Sequence, residues 1–352
     1  MTESIKLVSN QKLGRMPFFD FLKMFAMFMV LWGHAIQHLQ TGDVWGESMH
    51  KFIYSFHLPL FMTIAGFFSL SSLKISWGAF WKKKGTQLLL PCFSWGIILY
   101  GVIAIMNVFC GAHISYSPFF VFFQHFWFLK SLFACYLVAY VGLKLCKRID
   151  VWIIVTLVIA HVSTTHQIPI MYICFLMGML LRIYFNSFAE NYKLITVSMG
   201  VIYSVVAIAT SCDLPLKGIN VLDIMKTHTI TPPILMYLSK IVVSLSSSVF
   251  FIGSCYWMSK NEIINSFFKR SILTEMGRYT LGIYILQSIV LETIMAEYIK
   301  VDTWGGIFSN LRFDIYILFP LVSFVIMWSC GFVTKQIQNN RILGFWLLGN
   351  LK

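Results

Sequence analysis

Apolar runs of about twenty residues recur along this chain from Phe18 to Gly331, separated by short connections that carry most of its charge. Twenty helical residues rise about 30 Å, the thickness of a bilayer's hydrocarbon core. The pattern therefore restricts the chain to a bundle of membrane-crossing helices. Of its 352 residues, 58% are hydrophobic and 12% charged, where a soluble domain carries about 25% charge. Mean hydropathy is +0.75. No stretch is long and polar enough to form a large soluble domain. The net charge of +13 does not read as a nucleic-acid surface, because the basic residues cluster in short loops, as the positive-inside rule requires.

The spacing predicts an all-α integral membrane protein of about ten spans, over residues 17–40, 51–72, 86–109, 119–142, 151–163, 168–186, 193–211, 234–257, 275–299 and 313–335. Breakers such as Thr41-Gly42-Asp43, Thr231-Pro232-Pro233 and Gly305-Gly306 mark the connections. Eighteen of the 27 basic residues fall on the side shared by both termini and five on the other. That bias places both termini in the cytoplasm, with tails at 1–16 and 336–352, and residues 1–352 as one transmembrane domain in the cell (inner) membrane. The first run is too long for a cleavable signal peptide and is followed by no small-residue cleavage site, so it is expected to remain as an anchor. The longest outer loop, 212–233, is expected to cap the outer face. The eight cysteines are scattered, with no CxxC pair. A Cys110–Cys212 disulfide is open to the pattern, and buried inert thiols are the preferred reading.

Inside the first span stand Asp20, Lys23 and His34, where ionisable groups cost several kcal/mol unless paired or wetted. At about 100° per residue, Lys23 and His34 lie about 20° apart around the helix and Asp20 and His34 about 40°, so all three share a face. Lys23 and His34 are about 16 Å apart along the axis and cannot touch. Asp20 can pair with Lys23 at i, i+3. His38 lies one turn beyond His34, at the outer boundary. The structural alternative is that Lys23 snorkels to the cytoplasm and His34 hydrogen-bonds a neighbouring helix. On the second span His57 should lie at the depth of His34, and Pro59 opens the helix nearby. A neutral histidine there can serve as a general base. The two histidines could also ligate a metal, but no third ligand is evident at the right spacing, so no metal is expected.

The run Trp81-Lys82-Lys83-Lys84-Gly85-Thr86-Gln87 enters the third span. Adjacent lysines beside a span ordinarily set topology, and they would also suit a phosphate-rich ligand. His125 and Trp127, in the outer part of span four, could line a cavity or belong to the aromatic belt. In span nine, Glu275 and Arg278 are spaced to pair, Tyr284 and Gln287 lie deeper, and Gln287 is read as a helix–helix hydrogen bond. Glu292 lies deeper still, and nothing in the sequence names its partner.

Together these segments resemble acyltransferase family 3, a family of multispanning membrane acyltransferases. The spacing of Arg15, Asp20, Lys23 and His34 resembles its first-span signature, and FHLPLFMTIAGFF (56–68) its His-x-Pro-Leu-Phe-Phe…Gly run. Lys84-Gly85-Thr86-Gln87 stands at its Arg-x-x-Arg element, and WFL (127–129), GRYTLGIYIL (277–286) and NRILGFWLLG (340–349) match later landmarks. The chain departs in carrying Lys23 where arginine is usual, Lys84 and Gln87 in place of both arginines, and Gln287 where many members have histidine. The resemblance implies transfer of an acyl group, commonly acetyl from acetyl-CoA, to a hydroxyl of a carbohydrate or lipid-linked glycan. It implies His34 as general base, with His57 stabilising the oxyanion or placing the acceptor and Asp20 orienting the donor site through Lys23. Arg15, Lys23, Lys82, Lys83, Lys84 and Gln87 would face the CoA phosphates. His38, His125, Trp127, Tyr284, Gln287 and Glu292 would line the acceptor side.

Two other readings compete. A secondary transporter of a glycan or acyl donor would suit ten spans with ionisable groups at depth, but the two halves show no matching interrupted helices. A scaffold or glycan sensor would bind without transfer. Flux without covalent product would mark the first, and binding without transfer the second.

Overall fold

The computed structural model describes residues 14–41, 43–146, 149–162, 168–214, 231–299 and 312–350. Among them the regular elements are helical, with no β-strand. Seven helical stretches are long and apolar enough to cross a membrane: Pro17–Leu39, Trp77–Phe109, Trp127–Leu145, Phe185–Ala209, Ile234–Met258, Thr280–Tyr298 and Asp314–Asn339. The other expected spans correspond to three further helices. Ser48–Phe67 is 20 residues long but less apolar, and Ile149–Val162 and Ile168–Ile183 are shorter. Lys217, Lys226, Lys300, Gly305-Gly306 and most of the 212–233 loop lie outside the described residues.

We name the helices α1 (Pro17–Leu39), α2 (Ser48–Phe67), α3 (Leu90–Phe109), α4 (Trp127–Leu145), α5 (Ile149–Val162), α6 (Ile168–Ile183), α7 (Phe185–Ala209), α8 (Thr231–Met258), α9 (Thr280–Ile289), α10 (Phe319–Asn339) and α11 (Arg341–Leu348). They gather into two compact units that interleave along the sequence. One holds the residues up to Ala26, Lys51–Ser76 and Ala134–Glu275. The other holds Met27–His50, Trp77–Phe133 and Met276 onward.

In the first unit α2 is tied to α7 by a buried hydrogen bond between Ser55 and Tyr203 hydroxyls, 3.1 Å apart. Phe25, Phe56 and Phe251 stack into an aromatic core, with centroids 4.6 Å apart for Phe56 and Phe251. Between membrane helices, where lipid is as apolar as leucine, such packing and polar ties carry the association. The eight cysteines are free thiols, and Cys110 and Cys212 fall in different units.

The second unit departs most from regular α-helix. Four segments have the wider i→i+5 pairing of a π-helix: Trp81–Leu89, Phe120–His125, Val290–Met295 and Asp314–Leu318. Each holds a buried or half-buried polar residue, respectively Lys84, His125, Glu292 and Asp314. Such turns are rare and recur at functional sites. They also correct the expected spans. Span four is not one helix, because the chain leaves helical geometry at Phe126 (φ −93, ψ 45) before α4 begins. Span nine breaks at residues 277–279, between the short helix ending at Met276 and α9. The lysines 82–84 sit on a helical stretch running on into α3 rather than in a loop.

α9 and α10 meet at Gly282, where an added Cβ would collide with the Thr334 side chain. That close approach fixes α9, and so whatever it carries, against α10. Trp32 of α1 donates from Nε1 to the Ile315 carbonyl at 2.9 Å. The expected C-terminal tail is not a loose extension. Asn340 caps α11, accepting from the Ile342 and Leu343 amides, and the Leu347 carbonyl accepts from Trp95 Nε1 at 2.7 Å.

Candidate active site

His34 and His38 leave one side of α1, one turn apart, with ring centroids 5.9 Å apart. Glu292 arrives from the other end of the chain, on the π-turn that continues α9, and places Oε1 2.7 Å from His34 Nδ1. The distance is that of an ion pair, although the ring N–H does not aim squarely at the oxygen. Gln287 Nε2 donates to the same Oε1 at 2.9 Å. In an α-helix, residues five apart point about 140° away from each other. The π-turn brings Gln287 and Glu292 onto one face. Gln287 is therefore not the cross-helix link expected of it, since its amide holds the carboxylate of its own helix.

Around this pair stand further polar groups of the same unit. His125 Nε2 lies 2.6 Å from Ser288 Oγ, with both residues buried. Its ring is close enough to Glu292 to interact with it electrostatically. His50, in the first turn of α2 ahead of the expected span 51–72, is buried beside Trp45, with centroids 5.1 Å apart. Tyr284 packs on Phe128 at 5.7 Å, and Trp127 stands beside the same ring. The His34 and Glu292 side chains keep 18% and 16% of their surface exposed, so the pair is sheltered but not sealed.

Lys84 is buried on its π-helix and donates from Nζ to Gln87 Oε1 at 3.1 Å, while Lys82 and Lys83 are exposed on the same stretch. Arg15, Asp20, Lys23 and His57 belong to the other unit. There Asp20 accepts from Lys23 Nζ at 2.8 Å, as the i, i+3 spacing requires, and from Arg15 Nε at 3.0 Å. His57 Nδ1 donates to the Ile53 carbonyl at 2.6 Å.

Sequence reasoning named Glu292 but gave it no partner, and it passed over His50 and Ser288. No local spacing signals Ser288 or the partner of Glu292, because His125 and His34 come from elements remote in the chain. The carboxylate that meets an imidazole is thus Glu292, on a helix whose landmark GRYTLGIYIL begins just upstream.

The family profile described as "Acyltransferase domain", that of acyltransferase family 3, matches residues 16–332. The chain belongs to this family. Among curated proteins, the chain is 31% identical over 144 residues to "Nodulation protein NolL" of Mesorhizobium japonicum, a match covering 39% of this chain and 38% of that one. It is 35% identical over 81 residues to "Nodulation protein NolL" of Sinorhizobium fredii, covering 22% of each. These matches thus span well under half of either relative's length. No solved structure matches the chain.

Proposed function

We propose that this family member is an inner-membrane O-acyltransferase, with ten spans and both termini in the cytoplasm, moving an acetyl group from cytoplasmic acetyl-CoA to a hydroxyl of a carbohydrate or lipid-linked glycan. The observation that carries this reading is the 2.7 Å approach of Glu292 to His34 Nδ1. A carboxylate there favours the tautomer with the proton on Nδ1 and leaves the Nε2 lone pair to take a proton. His34 Nε2 then removes the acceptor hydroxyl's proton as that oxygen attacks the thioester carbonyl. The C–O bond forms, the C–S bond breaks, and the imidazolium returns its proton to the departing CoA thiolate. Glu292 is most valuable while the imidazole is charged, so its contribution falls on the transition state.

In this reading the His125–Ser288 pair steadies the developing oxyanion or the acceptor. His38, Trp127, Tyr284 and Gln287 shape the acceptor side. Lys82, Lys83 and Lys84 meet the donor's phosphates as point charges. The test is His34→Ala in cells. Surface glycans should lose the mass of one acetyl group per site while the protein inserts and accumulates normally. Retained acetylation would remove His34 from the mechanism.

A further inference from the structure

The groups that pair as a base and its carboxylate are also a set of metal ligands. His34, His38 and Glu292 each offer one ligand atom, and the three atoms lie within 4.8 Å of one another. We propose that these residues form a binding site for a divalent transition-metal cation of the zinc class.

Three features of the fold support the site. Two histidines at i, i+4 present both rings from one face of a helix, the spacing by which helices chelate zinc. The third ligand is anionic, so two imidazoles and one carboxylate leave a fourth position for water or a substrate oxygen, as in open zinc sites. The donor set favours zinc, cobalt or nickel over magnesium and calcium, which want oxygen shells. The carboxylate also has outer support, since Gln287 Nε2 holds Glu292 Oε1 at 2.9 Å. Such second contacts orient ligands and raise affinity.

A bound cation asks for a small rearrangement. Bonds of 2.0–2.1 Å in a tetrahedron put ligand atoms about 3.3 Å apart. Nδ1 and Oε1, at 2.7 Å, must therefore open slightly and the remaining atoms close in. Side-chain rotation supplies both movements, because neither residue is fully buried. The sequence hid this site because its third ligand, Glu292, lies more than 250 residues from the two histidines.

If His34 is the base proposed above, a cation on its ring takes the lone pair the base needs, so zinc occupancy and acyl transfer oppose each other. That consequence rests on the proposed function, while the site itself does not.

The experiment uses the full-length protein purified in detergent and stripped with a chelator. Cobalt(II) is titrated with no acyl donor present. We expect one equivalent to bind with the intense visible absorption of low-coordinate cobalt, and zinc to displace it. His38→Ala and Glu292→Gln should each weaken binding by about tenfold or more. His38→Cys should retain binding and add sulfur-to-cobalt charge-transfer absorption, which requires residue 38 to be a ligand. Thermal unfolding of each sample establishes that the variants are folded. Absence of the cobalt spectrum in wild type, or equal affinity in folded His38→Ala and Glu292→Gln, would overturn the site. Neither result touches the acyl-transfer reading, which is judged on acetyl-CoA turnover. Zinc inhibition matching zinc occupancy would join the two, and full activity of the zinc-loaded protein would break the opposition.

Discussion

Glu292→Gln is the most informative single change, because it keeps the shape of the side chain and removes only its charge. At 2.7 Å, a carboxylate and an imidazolium attract by about 6 kcal/mol at an effective dielectric of about 20. Both side chains keep some solvent contact, so the realised difference is smaller, and about 4 kcal/mol is a reasonable share. That corresponds to about a thousandfold loss of rate. Because the attraction exists only while His34 carries the abstracted proton, the loss should fall on kcat and leave the donor KM close to wild type. Labelled acetyl transfer to a glycan acceptor, followed in a single turnover across donor concentrations, separates the two. Glu297, exposed on the next turn, provides the control, since Glu297→Gln removes a like charge that makes no contact with His34. A Glu292→Gln enzyme within a few-fold of wild type, or one whose loss lies wholly in KM, would show that the 2.7 Å pair has no catalytic meaning.

Lys84→Ala should raise the KM for acetyl-CoA about tenfold, the worth of one charge-assisted hydrogen bond, with kcat little changed; an unaltered KM would assign the lysines to topology alone. Gly282→Val forces a branched side chain into Thr334 and should cost about 1–3 kcal/mol, read as a lower thermal midpoint in detergent.

The Asp20–Lys23 pair was legible, because an i, i+3 spacing on one helix is a local fact and the structure shows it at 2.8 Å. Arg15 joining the same carboxylate was less so, because its distance depends on how the chain enters α1. The π-turns were not legible at all. Reading a span at 3.6 residues per turn turns Gln287 away from Glu292, and only the i→i+5 pairing of Val290–Met295 reverses that. The breaks at Phe126 and at residues 277–279 were missed for a related reason. Hydropathy averages over a helix interruption that leaves the apolar run intact.

What the amino-acid order determined alone is the class of the fold, since runs of apolar residues long enough to cross a bilayer leave helices as the economical way to satisfy their backbone polar groups. It also determined which ionisable residues lie within those runs, and through their order the family to which the chain belongs. The tertiary structure decided which of them meet. His34 and Glu292 are joined by no periodicity, because they come from elements more than 250 residues apart in the chain and meet at 2.7 Å only in the folded protein, with Glu292 carried on a widened turn.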